Sequence, residues 1–309
     1  MHQDTPRSRV FLYLKGMAMG AADIVPGVSG GTIAFIAGIY ERLLNALQAF
    51  GPSLWTRFRE DGVGGVWRAI DGTFLLILFA GILTSVVSMA RLISHLLETY
   101  PELVWGFFFG LIVASVWHVG TKIRQRDITA LVALVIGAAL AYLITEMNPT
   151  EIDVTPFNLF WCGMVAICAM ILPGISGSFI LLILGMYGHV LHAVKTFELG
   201  TLLIFASGCV VGLLSIARLL SWMLRRFHDV SLALLTGIML GSLNKVWPWK
   251  QTLEYRLNSA GESVPFIQAN VSPSVYEALT GQSAYLTGAI ICALVGLVLV
   301  LALEKVRTD

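Results

Sequence analysis

The sequence is poor in charged residues, and this scarcity indicates the class of protein. Of its 309 residues only 13% are Asp, Glu, Lys or Arg, whereas 57% are hydrophobic. A soluble globule needs more polar surface than this composition supplies, so an ordinary soluble enzyme is excluded. We expect an integral membrane protein surrounded by membrane lipids, with no nucleic-acid partner.

Cysteine is also scarce, and its spacing is not typical of metal binding. The four cysteines all lie in apolar segments, and none forms a Cys-x-x-Cys pair; they are Cys162, Cys168, Cys209 and Cys292. We interpret them as small packing residues rather than as disulfide partners or metal ligands. The sequence therefore predicts no metal site and no cofactor.

Long apolar runs are abundant, and they predict six helices that cross the bilayer. A helix needs about 20 apolar residues to cross a hydrocarbon core of roughly 30 Å. Three such runs lie in residues 1–150 and three in residues 151–309; they are 72–97, 102–121, 128–147, 200–224, 230–248 and 283–304.

One motif occurs once in each half of the chain. VPGVSGGTIAFIAGIY occupies residues 25–40, and LPGISGSFILLILGMY occupies residues 172–187. Further matches at another offset pair Gly81 with Gly208, Arg91 with Arg218, Gly110 with Gly237 and Ser115 with Ser242. This duplication indicates a transporter built from two related halves, with the substrate site near mid-membrane at their interface.

Each motif predicts a helical hairpin that does not span the bilayer. The apolar run after Pro26 and Gly27 reaches Glu41 within about 14 residues, a length of roughly 20 Å. We therefore expect re-entrant hairpins at about 10–48 and 156–195, broken at Pro26-Gly27 and at Pro173-Gly174. Backbone groups freed at such breaks are tolerated at membrane depth only where they face protein or a wet cavity.

Each half is predicted to have three spans and a hairpin that returns to the side from which it entered, so it crosses the membrane an odd number of times. The second half then begins on the opposite side from the first, and the two halves are predicted to be inverted. The expected fold class is thus an all-α integral membrane protein of two inverted repeats, each with a re-entrant helical hairpin and three transmembrane helices. Most Lys and Arg residues then fall on the cytoplasmic side with both termini. The outside keeps only Lys195, Lys245, Lys250 and Arg256.

Two segments interrupt the symmetry of the halves. Residues 49–71 mix Trp and Phe with Arg, which favours a position on the cytoplasmic membrane interface. Residues 250–281 are polar and are expected outside, as a small lid without evident chemistry.

The two breaks are the candidate anion sites. The hydroxyl of Ser29 or Ser176 can cap the helix that follows, while the next residues expose backbone N–H groups at its positive end. The alternative is a tight helix turn with small residues for close packing. Because the motif occurs in both halves, we favour phosphate-binding residues, which are Ser29, Gly30, Gly31, Thr32, Ser176, Gly177 and Ser178.

Arg91 and Arg218 occupy matching positions inside otherwise apolar helices. An arginine at the centre of a membrane helix costs about 2.5–3.5 kcal/mol on insertion scales, so a compensating partner is expected. A phosphate suits the forked, permanently charged guanidinium. The alternative is that each side chain extends to the headgroups from near its helix end.

Asp23 precedes the first break and has Met170 at the matching place in the second half. An isolated carboxyl group of this kind could couple proton movement to transport. It could equally cap the broken helix by accepting freed N–H groups.

The chain resembles the bacterial polyprenyl-phosphate transporter family. The resemblance is carried by ADIVPGVSGGTIAFIAGIYERLL (22–44) and ILPGISGSFILLILGMY (171–187), and it extends over essentially the whole chain. Membership implies a multi-pass protein of the bacterial inner membrane. It also implies flipping of undecaprenyl phosphate from the outer to the cytoplasmic leaflet, which recycles the carrier lipid for cell-wall synthesis. An oligomer is compatible with this function.

Two other functions remain open at this point. Integral undecaprenyl pyrophosphate phosphatases carry a PGxSRSxxT element, but Gly30 and Gly177 stand where its arginine would be. No paired-glutamate motif or nearby histidine accompanies the serines, so an enzyme is disfavoured. A transporter of a small soluble anion would use the same helix ends and arginines.

Overall fold

The computed structural model describes residues 6–25, 27–51, 53–150, 152–257 and 263–308, and these are mostly helical. Pro26, one of the predicted helix-break residues, lies outside the described residues. The helices of the first half are α1 (Pro6–Ile24), α2 (Gly30–Ile36), α3 (Tyr40–Gln48), α4 (Ser53–Ala69), α5 (Gly72–Thr99), α6 (Pro101–Lys122) and α7 (Ile128–Glu146).

The second half repeats this order without a counterpart of α4 and with an insertion before its last helix. Its elements are α8 (Pro156–Ile171), α9 (Gly177–Ile183), α10 (Tyr187–Thr196), α11 (Leu199–Arg226), α12 (His228–Ser242), β1 (Lys250–Leu257), β2 (Ser263–Asn270), α13 (Pro273–Thr280) and α14 (Leu286–Thr308).

Four helices of the described chain are long and apolar enough to cross a membrane, and they match four of the six predicted spans. They are α5, α6, α7 and α11. The described apolar part of α14, Leu286–Ala302, is shorter. The predicted span 230–248 is wrong in length, because α12 ends at Ser242 and the chain then turns. The protein is thus a multi-pass membrane protein.

Each hairpin contains three helices where two half-helices were expected. The returning arm bends again at Gly38 and at Gly185, which occupy matching places in the motifs and have φ of 68° and 70°. Glycine adopts this left-handed backbone without steric cost. In the second half the bend between α9 and α10 is 110°.

The prediction of an all-α fold is wrong in residues 250–281. β1 and β2 form an antiparallel pair in which Lys250 lies opposite Asn270 and Leu257 opposite Ser263, with irregular register around Glu254. Together with α13, the strands form a clasp that we define as residues 250–257 and 263–280. A small apolar core packs the clasp against the helices; it contains Trp249, Tyr276 and Ala289.

The two halves use equivalent helix pairs. α1 packs on α5 and α8 packs on α11, whereas α6 packs on α14 and α12 on α7 across the halves. Gly81 and Gly208, which match in sequence, make these contacts closely: a Cβ atom on either would collide with a backbone carbonyl, that of Tyr13 or of Phe160 respectively. Small residues allow such close helix approach in membranes.

Helix α4 has the features of a helix that lies at the membrane interface. It is kinked at Gly62, where φ is 63°. Its aromatic side chains Trp55, Phe58 and Trp67 are exposed. Arg59 lies over the Trp55 ring at 5.1 Å. Exposed aromatic and basic groups on one short helix favour contact with lipid headgroups.

We expect Gly208→Ala to destabilise the protein by about 1–3 kcal/mol, because the added methyl group collides with the α8 backbone. Thermal unfolding of the purified protein in detergent measures this effect. Gly200→Ala on the same helix is the matched control, since a Cβ there meets no atom within 4 Å. Equal unfolding temperatures for the two variants would contradict the close packing.

Candidate functional site at the two helix breaks

The first break is closed by side chains that accept the freed N–H groups at the start of α2. Asp23 accepts a hydrogen bond from Gly30 N at 2.7 Å. Ser29 is the N-cap of α2 and accepts from Gly31 N at 3.1 Å. The chain reverses at Gly27, where φ is 86°. The backbone N–H groups of Gly30 and Gly31, which were predicted to bind a phosphate, therefore donate to protein side chains in this structure.

Helix α1 supplies opposite charges to the two ends of α2. The carboxylate of Asp23 lies at its N-terminus, and Lys15 Nζ donates to the carbonyl of Ala37, the C-cap, at 2.8 Å. Negative charge stabilises a helix N-terminus and positive charge a C-terminus. This pairing fixes α2 antiparallel to α1, so the chain does reverse at the break.

The glycines of the first motif are required by close neighbours. A Cβ on Gly30 would lie 2.5 Å from Asp23 Oδ2, and one on Gly31 would lie 2.8 Å from the carbonyl oxygen of Ile171. An arginine at position 30, as in the phosphatase element, would therefore displace the Asp23 carboxylate. The geometry explains why this motif departs from that element.

The second break is less fully capped. Gly174 turns the chain with φ of 98°, and Ser176 is the N-cap of α9 without a side-chain capping bond. The hydroxyls of Ser176 and Ser178 lie 2.8 Å apart and bond to each other. A Cβ on Gly177 would lie 2.6 Å from the carbonyl oxygen of Ala166, so α9 folds back closely against α8.

The two breaks contact each other directly. Ser29 Oγ donates to the carbonyl of Met170 at 3.1 Å, and Gly174 N donates to Thr32 Oγ1 at 2.8 Å. Ser29 and Thr32 are both fully buried. The structure thus brings Ser29 and Thr32 of the first motif against Met170 and Gly174 of the second break.

A further bond across the breaks comes from Tyr40, whose hydroxyl donates to the carbonyl of Ile171 at 3.1 Å. The first half supplies the polar side chains and the second half supplies the backbone groups. The second motif has Met170 and Phe179 at the positions that match Asp23 and Thr32. These apolar side chains cannot form the hydrogen bonds that Asp23 and Thr32 form in the first half.

Arg91 and Arg218 lie at equivalent positions in two 28-residue helices, but both side chains are exposed. Arg218 donates to the carbonyl of Phe50 at 3.0 Å, at the end of the first hairpin. Within the described part of the chain, no hydrogen bond joins either arginine to a break. The structure does not bring them into the site formed by the two motifs.

Sequence reasoning missed Lys245, which follows α12 and lies beside both breaks. A Cβ on Gly27 would lie 2.7 Å from Lys245 Cγ, and Lys245 Nζ lies 4.2 Å from the ring centroid of Phe179 in the first turn of α9. Burial lowers the pKa of Lys245 to about 8, while the negative charge of Glu146 opposes the shift. A lysine inside the predicted apolar span 230–248 was the feature of the sequence that could have identified it.

We expect Thr32→Val to lower the free energy of unfolding by about 1–3 kcal/mol, because Gly174 N loses its acceptor in a buried site. Thermal unfolding in detergent gives this difference. Thr196→Val is the control, since Thr196 is exposed on α10. An unchanged stability in Thr32→Val would mean that this bond does not hold the breaks together.

Comparisons with known proteins identify the family of this chain. A family model described as undecaprenyl phosphate translocase-like matches residues 19–264. A curated polyprenyl-phosphate transporter of Vibrio cholerae serotype O1 is 55% identical over 293 residues, which is 95% of each chain. A polyprenyl-phosphate transporter of Staphylococcus aureus is 32% identical over 257 residues, covering 76% of this chain and 85% of that protein.

Among solved structures none is a significant match. The curated relatives are named as transporters rather than as enzymes. The match begins near the end of α1 and covers the first motif, the second motif and the turn that carries Lys245. This multi-pass membrane chain therefore belongs to the polyprenyl-phosphate transporter family.

Proposed function

We propose that the protein moves undecaprenyl phosphate from the outer to the cytoplasmic leaflet of the bacterial inner membrane, returning the carrier lipid to cell-wall synthesis. The observation that carries this proposal is the direct contact between the two helix breaks, one from each half of the chain. The lipid tail can stay in the bilayer, so the protein needs to shelter only the phosphate. A site shared by two halves can open to each leaflet in turn.

In this proposal the halves are inverted repeats with re-entrant hairpins, and both termini are cytoplasmic. The equivalent glycine contacts of α5 with α1 and of α11 with α8 support two structurally related halves. The excess of Lys and Arg in the predicted cytoplasmic loops supports the orientation. Helix α4 then lies on the cytoplasmic interface, and the clasp lies outside.

The phosphate binds where the two breaks meet, at Ser29, Gly30, Gly31 and Thr32 and at the matching residues Ser176, Gly177 and Ser178. Asp23 already accepts from Gly30 N, so a phosphate at the first break competes with this carboxylate for the same donor. Protonation of Asp23 would weaken its bond to Gly30 N and remove a negative charge that repels the phosphate. Asp23 is thereby the proposed proton-coupling residue.

Arg91 and Arg218 are the proposed phosphate contacts on the lipid-facing surface. Each lies about 12 Å along the axis from the end of its helix, so its side chain can reach a headgroup while the helix stays in the bilayer. A guanidinium attracts a phosphate into the site and stays charged at every relevant pH.

We expect Arg91→Ala and Arg218→Ala each to abolish exchange of labelled undecaprenyl phosphate in liposomes, with expression unchanged, because the phosphate loses a forked donor. Arg126→Ala, which removes an exposed arginine before α7, is the control and should exchange at the wild-type rate. Wild-type exchange in both test variants would exclude an arginine contribution.

Asp23→Asn should make the exchange rate indifferent to a pH gradient, because the amide has no proton to transfer at this position. The measurement is lipid exchange in liposomes with and without an imposed gradient. Asp153→Asn, at an exposed aspartate, is the control and should keep the wild-type response. A response retained in Asp23→Asn would exclude Asp23 as the coupling residue.

A further inference from the structure

Lys245 lies between elements of both breaks. Its aliphatic stem passes over Gly27, where a Cβ would lie 2.7 Å from Cγ and 3.7 Å from Cε. Its ammonium group lies over the ring of Phe179. The turn after α12 therefore brings a cation to the place where the two motifs approach each other.

A second cation lies beside the first. Lys250 Nζ donates to the main-chain carbonyl of Lys245 and lies 4.4 Å from the ring centroid of Trp105. Burial and the positive charge of Lys245 both lower the pKa of Lys250. Two like charges thus lie close together at a half-buried site.

The protein holds this pair in place through the clasp and the adjoining tryptophans. Trp247 Nε1 donates to the carbonyl of Val271, and Trp249 Nε1 donates to the carbonyl of Ala284, both at 2.8 Å. Lys250 begins β1 and so is fixed by the strand pair. These contacts hold the main chain that carries both lysines.

No carboxylate forms a salt bridge with Lys245 or Lys250 within the described ranges. The aromatic rings of Phe179 and Trp105 compensate only part of the charge. Charged groups that are largely withdrawn from water normally have an ionic partner. Glu146 acts on Lys245 only from beyond salt-bridge distance, so a bound anion would complete the charge balance of the two lysines.

We infer that Lys245, with Lys250 beside it, binds the phosphate monoester of the transported lipid at the contact between the two breaks. A phosphate monoester carries a charge between −1 and −2 near neutral pH, which two ammonium groups can balance. The nearby rings of Trp105, Phe109 and Trp247 offer an apolar wall to the first prenyl unit. This inference rests on the proposed function, because it assigns the phosphate of that same substrate.

The test is binding of three probes to the purified protein in detergent: a short-chain prenyl phosphate, the corresponding prenyl alcohol and inorganic phosphate. We expect Lys245→Gln to raise the Kd for the prenyl phosphate by about tenfold or more and to leave the alcohol unaffected. Lys245→Arg should retain most of the affinity because it keeps the charge. Lys195→Gln, which removes an exposed lysine, should match the wild type.

Protection from chemical labelling tests the same inference in the wild-type protein, without a variant that could misfold. An amine-reactive acylating reagent is applied and the modified lysines are identified by mass spectrometry. Prenyl phosphate should protect Lys245 and leave Lys195 reactive, whereas prenyl alcohol should protect neither. Equal labelling of Lys245 with and without prenyl phosphate would overturn the inference.

The outcomes separate this inference from the proposed function. Wild-type lipid exchange together with unchanged prenyl-phosphate binding in Lys245→Gln would overturn the lysine site and leave the function standing. Inorganic phosphate binding as tightly as prenyl phosphate, and lost in Lys245→Gln, would keep the phosphate site and overturn the lipid substrate.

Discussion

The structure depends on one constraint: backbone groups freed at the two helix breaks must find partners inside the protein. A hydrocarbon environment offers no water to accept or donate hydrogen bonds. Ser29 and Tyr40 donate to carbonyls at the end of α8, and Thr32 accepts from Gly174 N. Each break therefore satisfies polar groups of the other, and these bonds join the two halves of the chain.

Charge placement follows from the same constraint. Asp23 and Lys15, both on α1, compensate the two ends of α2, so the short helix needs no solvent at either end. Lys245 and Lys250 lack a comparable carboxylate among the described residues. Positive charge beside both breaks, with the charges of α1 already balanced along α2, suits binding of an anion.

The sequence was sufficient to predict the two helix breaks and four of the spans, because Pro-Gly pairs and long apolar runs are local signals. It did not predict the second bends at Gly38 and Gly185, since hydropathy carries no information on a positive φ. The predicted span 230–248 also continued past the end of α12 and included Lys245, and the strands of the clasp were not predicted. The contact of Lys245 with Gly27 joins distant parts of the chain, and only the folded arrangement reveals it.

The most direct test of this account is to follow labelled undecaprenyl phosphate across liposomes that contain the purified wild-type protein, scoring leaflet exchange and phosphate release in the same sample. A transporter whose two breaks shelter an intact headgroup predicts exchange without release. Release of phosphate without exchange would contradict the account and would make the serines of the breaks candidates for catalysis.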